Sequence, residues 1–313
     1  MEIVIERPLT IPFLNDFHND EITVTTAQGL GDIFWIYQKL IHYFDKINFN
    51  IAYIEGDLNI ASMRAVEWLK CFPKVNKIEM KLHDRYVCWQ ITQQYPNMIS
   101  TIETCLKGEE VFYCCNKWLE DGVRIEDIDP GAMVGWDIPL KHDNEPLPFS
   151  EYSLLFLPKT TLLETYSATD PFYMIWNIES YVELLRLVYE RYSKSWPVIV
   201  IGADFDKIVE KPTCDILTQK GFVNYSMFGE NPSKVINIIK NAKLFIGYQS
   251  GLNVIADNFD IPQIMLYWPM IDKERYYGFR HSWCKKKNIG SIYCATTFDC
   301  SPREIIENLT INI

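Results

Sequence analysis

The sequence predicts two successive α/β domains, each a parallel sheet wrapped by helices, and three observations carry that prediction. Short β-rich runs alternate with longer amphipathic ones along most of the chain, which is the pattern of βα units around a parallel sheet. The stretch 136–150, WDIPLKHDNEPLPFS, holds three prolines and several charges without periodicity, and it divides the alternation as an interdomain linker does. The length of 313 residues suits two domains at roughly 150 residues each. Residues 1–145 are assigned to the first domain and 146–313 to the second.

In the first domain the strand candidates are Ile22 to Thr26, Asn50 to Ile54, Val75 to Met80 and Glu110 to Tyr113. Between the first two, Ile33, Ile36, Tyr37, Leu40 and Phe44 recur at helical spacing over Asp32 to Phe44, giving one apolar stripe to pack on a sheet. A second helix is expected from Ala61 to Leu69. The second domain repeats the scheme with strand Tyr152 to Leu157, helix Glu179 to Tyr192 and strand Val198 to Ile201. Helix Pro232 to Asn241 follows, with proline in its first turn, then strand Leu244 to Gly247, a loop and helix from Tyr248 to Asn258, and strand Gln263 to Tyr267. Ser301-Pro302-Arg303-Glu304 is a capping box with proline at the first helical position, so a helix closes the chain. Two such open α/β domains in series are expected to face a cleft at the carboxyl ends of their strands, where open α/β sheets bind ligands.

Composition narrows the partners. Lysine and arginine number 30 against 41 aspartates and glutamates, for a net charge of −11, which opposes counterion-driven binding to nucleic acid or anionic membrane. Strong nucleic-acid binding is disfavoured and small molecules are expected instead. Hydrophobic residues at 48% and charged residues at 23% exclude disorder, collagen-like repeats and coiled coil. The amino terminus carries Glu2 and Glu6 and no basic segment leading into an apolar one, so it does not read as a signal peptide, and no run approaches a membrane span. The nine cysteines are scattered and lack zinc or redox spacing; they read as free thiols in a reducing cytoplasm, the expected location. The five histidines show no metal spacing, so no metal site is expected.

Two loops carry the chemistry. Thr26-Ala27-Gln28-Gly29-Leu30-Gly31-Asp32 runs from a strand into a helix, and its glycines allow a tight turn that exposes amide N–H groups beside a helix terminus. A dinucleotide fingerprint would place its third glycine at 34, which is Phe34. Asp32 after that turn could take a proton from a substrate hydroxyl, or it could serve only to cap the helix. Gly247-Tyr248-Gln249-Ser250-Gly251-Leu252-Asn253 is the second strand-to-helix turn. Its amides, the Ser250 hydroxyl and the helix dipole suit a diphosphate. Asp204-Phe205-Asp206 and Asp127-Ile128-Asp129 each match a short Asp-x-Asp pattern that can hold a metal, a match that arises by chance in an acidic chain.

The segment Ile238 to Tyr267, IIKNAKLFIGYQSGLNVIADNFDIPQIMLY, resembles the signature of the ADP-heptose:lipopolysaccharide heptosyltransferase family, glycosyltransferase family nine. There an "Asp-Ser-Gly-x-x-His-x-Ala" loop and helix precede a "Gly-Val-Pro" strand start, and Ser250, Gly251, Ala256 and Pro262 keep that frame. Gly29-Leu30-Gly31-Asp32 is similar to the family's "Gly-Asp" turn, which implies Asp32 as catalytic base, with Gln28, Gly29 and Gly31 forming the acceptor-side loop. Val198 to Asp206, VIVIGADFD, is similar to the strand and turn whose acidic residue meets the donor ribose, which implies Gly202 with Asp204 or Asp206 there. The chain departs from the family at Gln249 for aspartate, Val254 for histidine and Met174 for lysine; Lys159 and Thr160 could supply phosphate contacts instead. The resemblance implies a GT-B-type architecture of two Rossmann-like domains, without a metal or a cofactor and with a nucleotide-sugar as substrate.

The function expected is therefore a hexosyl- or heptosyltransferase-like glycosyltransferase. Asp32 deprotonates an acceptor hydroxyl, which displaces the diphosphate at the anomeric carbon with inversion. The donor contacts are expected from Lys159, Thr160, Gly202, Asp204, Asp206, Tyr248, Gln249, Ser250, Gly251 and Asn253. The sequence leaves the acceptor open, a saccharide or glycolipid being compatible with it. Two other readings share the fold: a non-catalytic nucleotide or sugar binding protein, motivated by Gln249, Val254 and Met174, and a nucleotide-sugar epimerase or hydrolase.

Overall fold

The computed structural model describes residues 21–26, 28–31, 33–34, 37, 41, 44–53, 60–82, 112–113, 138–162, 176–248, 250–267, 292–296 and 300–313. The chain forms two compact units, Met1–Pro139 and Leu140–Ile313.

The first unit holds strands β1 (Glu21–Thr26), β2 (Lys46–Tyr53), β3 (Val75–Leu82) and β4 (Phe112–Tyr113) and helix α1 (Ile60–Leu69). The strands make one parallel sheet in the order β3-β2-β1-β4. Because side chains alternate along a strand, Ile22 and Val24 lie beside Ile47 and Phe49 on one face, and Thr23 and Thr25 lie beside Asn48 and Asn50 on the other. Positions 30, 31, 33, 34 and 37 after β1 are helical, and Ile33, Phe34 and Tyr37 are fully buried. The rings of Phe34 and Tyr37 meet Phe72 at centroid distances of 5.7 and 4.7 Å.

The sequence places two boundaries differently. The helix expected to reach Phe44 is already in a turn at Ile41, and Phe44 is buried but not helical. The Lys74 ammonium explains the stop, since it donates to the carbonyls of Ile41 at 2.8 Å and Phe44 at 3.0 Å, as a cation at a helix carboxyl end does. Strand β2 starts at Lys46, not Asn50. Asparagine is depleted in strands, yet here the Asn48 amide donates to Glu21 at 2.6 Å and Thr23 at 3.2 Å, and Asn50 donates to Thr25 at 3.4 Å. Ile36 and Leu40 of the expected stripe, Ile54 and Glu110 lie outside the described residues.

The second unit is a six-stranded sheet of β5 (Ser153–Phe156), β6 (Val198–Gly202), β7 (Asn224–Phe228), β8 (Leu244–Tyr248), β9 (Gln263–Tyr267) and β10 (Ile292–Thr296). All pairs are parallel and the order is β10-β9-β8-β5-β6-β7. Helices α2 (Ile178–Tyr192), α3 (Glu210–Gln219), α4 (Pro232–Lys240), α5 (Gly251–Asn258) and α6 (Pro302–Asn308) belong to this unit. Leu155, Val182, Leu185, Val200, Ile246 and Leu266 are in one core with Ile305 and Leu309 of the last helix region. The capping box at Ser301 forms: its amide donates to Glu304 at 2.6 Å and its hydroxyl accepts from the Glu304 amide at 3.3 Å.

Residues 138–150 contain no helix or strand, yet the part belonging to the second unit is pinned to α4. Asn237 donates to the Asp143 carboxylate at 3.1 Å and to the Glu145 carbonyl at 3.2 Å. No helix among the described residues is long and apolar enough to cross a membrane.

Candidate functional site

In the six-stranded sheet the chain starts inside, at β5, lays β6 and β7 to one side and then places β8, β9 and β10 on the other. Winding therefore reverses between β5 and β8, and in open parallel sheets ligands bind outside the carboxyl ends of the strands at such a reversal. Phe156 and Gly247 are paired at that end. A β-carbon on Gly247 would stand 3.0 Å from the Phe156 Cβ and 3.2 Å from its carbonyl oxygen, so glycine here permits the close approach of the two strands. Two of the turns singled out in the sequence thus emerge side by side: Lys159 and Thr160, in a 3-10 turn over Lys159–Leu162, and the Tyr248–Gly251 turn into α5.

Beneath the first turn sits Asp206, which is 3% exposed. Its Oδ1 accepts from the Lys159 amide at 3.1 Å and its Oδ2 from the Ala203 amide at 3.4 Å. Burial pushes its carboxyl pKa up, against the opposing pull of those amides and of the Lys159 ammonium. Asp206 therefore faces inward and ties the loop after β6 to the loop after β5. Asp204 is more exposed and makes an ion pair with Lys207 at 3.2 Å. Gly202 is buried, and a β-carbon there would stand 2.2 Å from the Phe228 ring, so packing explains that glycine.

Under the second turn lies a buried amide pair. Ser250 is the N-cap of α5 but makes no side-chain cap bond. Its hydroxyl donates to Asn253 Oδ1 at 3.1 Å, and Asn253 Nδ2 donates to Gln263 Oε1 at 3.1 Å; the two amides are 3% and 1% exposed. Tyr248 is half-buried. The Tyr181 hydroxyl is fully buried and has no hydrogen-bond partner among the described residues. Burial first, and the neighbouring Tyr248 phenol second, push its pKa well above the ordinary tyrosine range.

In the first unit, Gln28, Gly29 and Gly31 are half-buried, and the Gly29 carbonyl accepts from the Ile33 amide at 3.0 Å, opening the helix there. Thr26, the last residue of β1, is fully buried, and its hydroxyl has no partner among the described residues. Asp32, Gln249, Met174 and the side chain of Thr160 lie outside the described residues. Val254, where the resembling family has histidine, is 4% exposed and belongs to the core. The sequence reading missed Gln263 and Tyr181. Both sit in apolar-looking segments, Gln263 opening a strand and Tyr181 within a helix stripe, and only the strand order brings Gln263 under the turn.

The fold is that of GT-B-type glycosyltransferases, two successive parallel-sheet α/β units. It is similar to ADP-heptose LPS heptosyltransferase II of E. coli, with 14% identity and a TM-score of 0.52 over 92% of this chain and 97% of that one. It is also similar to a glycosyl transferase family 9 protein from Veillonella parvula, with 13% identity and a TM-score of 0.51 over 94% and 92% of the two chains. No protein-family model matches the chain, and no curated protein matches it. The resemblance seen in the sequence thus holds at the level of the fold.

Proposed function

We propose that the protein is a glycosyltransferase that moves a sugar from a nucleotide-sugar donor to an acceptor hydroxyl. The observation that carries this reading is the placement of the Lys159–Thr160 turn and the Ser250–Gly251 turn at the winding reversal between β5 and β8, in a fold shared with heptosyltransferases.

In this reading the donor diphosphate lies against the first-turn amides of α5, where the helix dipole favours negative charge. Lys159, exposed beside that turn, supplies the cation that the family's lysine would supply at Met174. Gly251 and Tyr248 shape the turn, with Gln249 beside them, and Thr160 adds a hydroxyl. Asp204 takes the ribose contact, because Asp206 is committed to the loop amides. Asn253 acts from below, through Ser250. On the acceptor side, Asp32 accepts the proton of the attacking hydroxyl, which attacks the anomeric carbon while the carbon–oxygen bond to the diphosphate breaks. The proton ends on the Asp32 carboxylate and the electron pair on the leaving diphosphate, with inversion at the sugar and with no metal or other cofactor assigned a role. The amino-terminal loop of Gln28, Gly29 and Gly31 positions the acceptor, a saccharide or glycolipid hydroxyl in a cytoplasmic setting.

A ligand that binds only the folded state raises the melting temperature by mass action, so thermal shift with ADP, UDP, GDP and their sugar conjugates is the first test. At least one nucleoside diphosphate is expected to stabilise the protein, with donor turnover lost on Asp32→Asn and unchanged by a chelator. Stabilisation by none of them overturns the reading. The burial of Val254 in the core favours one second reading, a nucleotide or sugar binding protein without turnover; it predicts stabilisation by a nucleotide together with no transfer or hydrolysis of any conjugate.

A further inference from the structure

We infer that the outer edge of β7 is an interface between two copies of this chain, in which β7 pairs antiparallel with its own counterpart about a two-fold axis at Tyr225.

The backbone supplies the donors and acceptors. Strand β7 ends the six-stranded sheet and, among the described residues, pairs only with β6. The Val198 amide donates to the Val223 carbonyl at 2.9 Å, and the Gly229 amide donates to the Gly202 carbonyl at 3.0 Å. Positions 223, 225, 227 and 229 therefore turn their backbone groups to β6, and Asn224 and Ser226 turn theirs outward. Open edges are usually blunted by charged side chains, proline or a bulge. The β3 edge of the first unit follows that rule with Lys77, Glu79 and Lys81. Strand β7, NYSMF, has no charge and no proline, and its register on β6 is unbroken. Beside this edge Val223 is 62% and Tyr225 48% exposed.

The segment itself points to what covers it. Residues 220–230 read KGFVNYSMFGE, which is nearly the same in both directions about Tyr225. Asn224 mirrors Ser226, Val223 mirrors Met227, Phe222 mirrors Phe228 and Gly221 mirrors Gly229. A peptide of unrelated sequence needs no such symmetry, whereas a second copy in two-fold register does. In that register Asn224 of one copy exchanges both outward bonds with Ser226 of the other. Tyr225 meets itself at a non-hydrogen-bonded position, with Cα atoms about 4.5 Å apart, in a row with Val223 and Met227. The ends agree in charge. Lys220 is exposed at one end, and at the other Glu230 and Glu145 share Lys234 at 2.9 and 4.0 Å, which leaves that end negative. Each positive end thus meets a negative one. The two sheets become one, and the carboxyl ends of their strands point in opposite directions.

Sedimentation equilibrium of the full chain tests this. Twice the chain mass is expected from roughly 10 µM upward, the order of a small interface. Tyr225→Lys sets two ammonium groups face to face on the axis and is expected to weaken association about tenfold or more. Oxidised Tyr225→Cys is expected to form a covalent dimer, since its Cα atoms lie within disulfide reach, beyond any formed by the native thiols of the unmodified chain. Val223→Cys is expected not to do so, because the register sets its two copies about 14 Å apart along the strands. Should Tyr225→Lys fail to fold, the cysteine pair still decides. A single chain mass at 100 µM, roughly ten times the expected onset, overturns the inference. So does a dimer that Tyr225→Lys leaves unchanged, or crosslinking of Val223→Cys as readily as Tyr225→Cys. None of these outcomes bears on the nucleotide-sugar reading.

Discussion

In the second unit β5, β6 and β8 are built from SLLF, VIVIG and LFIGY and are buried almost throughout. In the first, β1 and β2 turn Ile22, Val24, Ile47 and Phe49 to one face but Thr23, Thr25, Asn48 and Asn50 to the other. Sheets with helices on both faces read as continuous apolar runs, and the second unit follows that rule while the first does not. Burial is non-directional, so in the second unit it holds the strands together and leaves their register to the crossovers and close contacts such as Gly247 against Phe156. In the first unit directional bonds do part of that work. The Asn48 amide reaches across to Glu21 and Thr23, and Asn76 donates to Asn48 at 3.2 Å, so the polar row ties three strands at fixed positions.

The contrast breaks most visibly in the apolar sheet. Phe245 is fully buried in β8, and Phe245→Ala is expected to destabilise the second unit by about 3–5 kcal/mol through lost transfer energy and the cavity left behind, measured by urea denaturation. A cost near 1 kcal/mol would mean that the site collapses and that packing there is not what holds β8. In the polar sheet the equivalent lesion is smaller. Asn48→Ala strands the Asn76 amide and removes the partner of Glu21 and Thr23, at a cost of about 1–3 kcal/mol, read by the same denaturation. A loss as large as that of Phe245→Ala would mean that the polar row, and not burial, dominates the first unit.

This contrast also decides what the sequence could reveal. Strands β5, β6, β8 and β9 and helices α2, α4 and α6 are legible because their apolar runs, amphipathic stripe and caps are local signals. The first half of β2 is not, because its asparagines count against a strand until Thr23 and Thr25 stand beside them. Strand β7, NYSMF, is a half-exposed edge, and α3 carries Pro212 in its first turn, where proline is tolerated but obscures the helical pattern. The fold class and the Ser250–Gly251 turn were readable from strand–helix alternation and glycine placement, and Lys159 and Thr160 only as substitutes for the lysine that the resembling family has at Met174. Their adjacency was not, because it depends on β8 returning to lie beside β5, which no local pattern encodes. For the same reason Asp206 looked like a ribose contact: a solvated turn and an inward-facing carboxylate share one sequence, and only the Lys159 amide 3.1 Å away distinguishes them.

The smallest expected effect sharpens the comparison at that carboxylate, a directional polar device in the loops at the end of the apolar sheet. Burial raises the folded-state pKa of Asp206 above its ordinary value, so the folded chain holds this proton more readily than the unfolded chain. The resulting stability is fully present below the unfolded pKa and is lost as pH rises through the folded one. Asp206→Asn keeps an Oδ1 acceptor for the Lys159 amide and carries no charge, but it sets an amide donor toward the Ala203 N–H. These two changes oppose each other, so the net effect at neutral pH is expected to be below about 1 kcal/mol. The informative quantity is its pH dependence: from about pH 4 upward the stability difference should move steadily in favour of Asp206→Asn, read from denaturation midpoints across that range. A difference that stays flat, or moves the other way, would show that the Lys159 and Ala203 amides outweigh burial at Asp206, and that even beside the apolar sheet the ligand-side loops are placed by charge meeting backbone amides, as the polar row places the strands of the first unit.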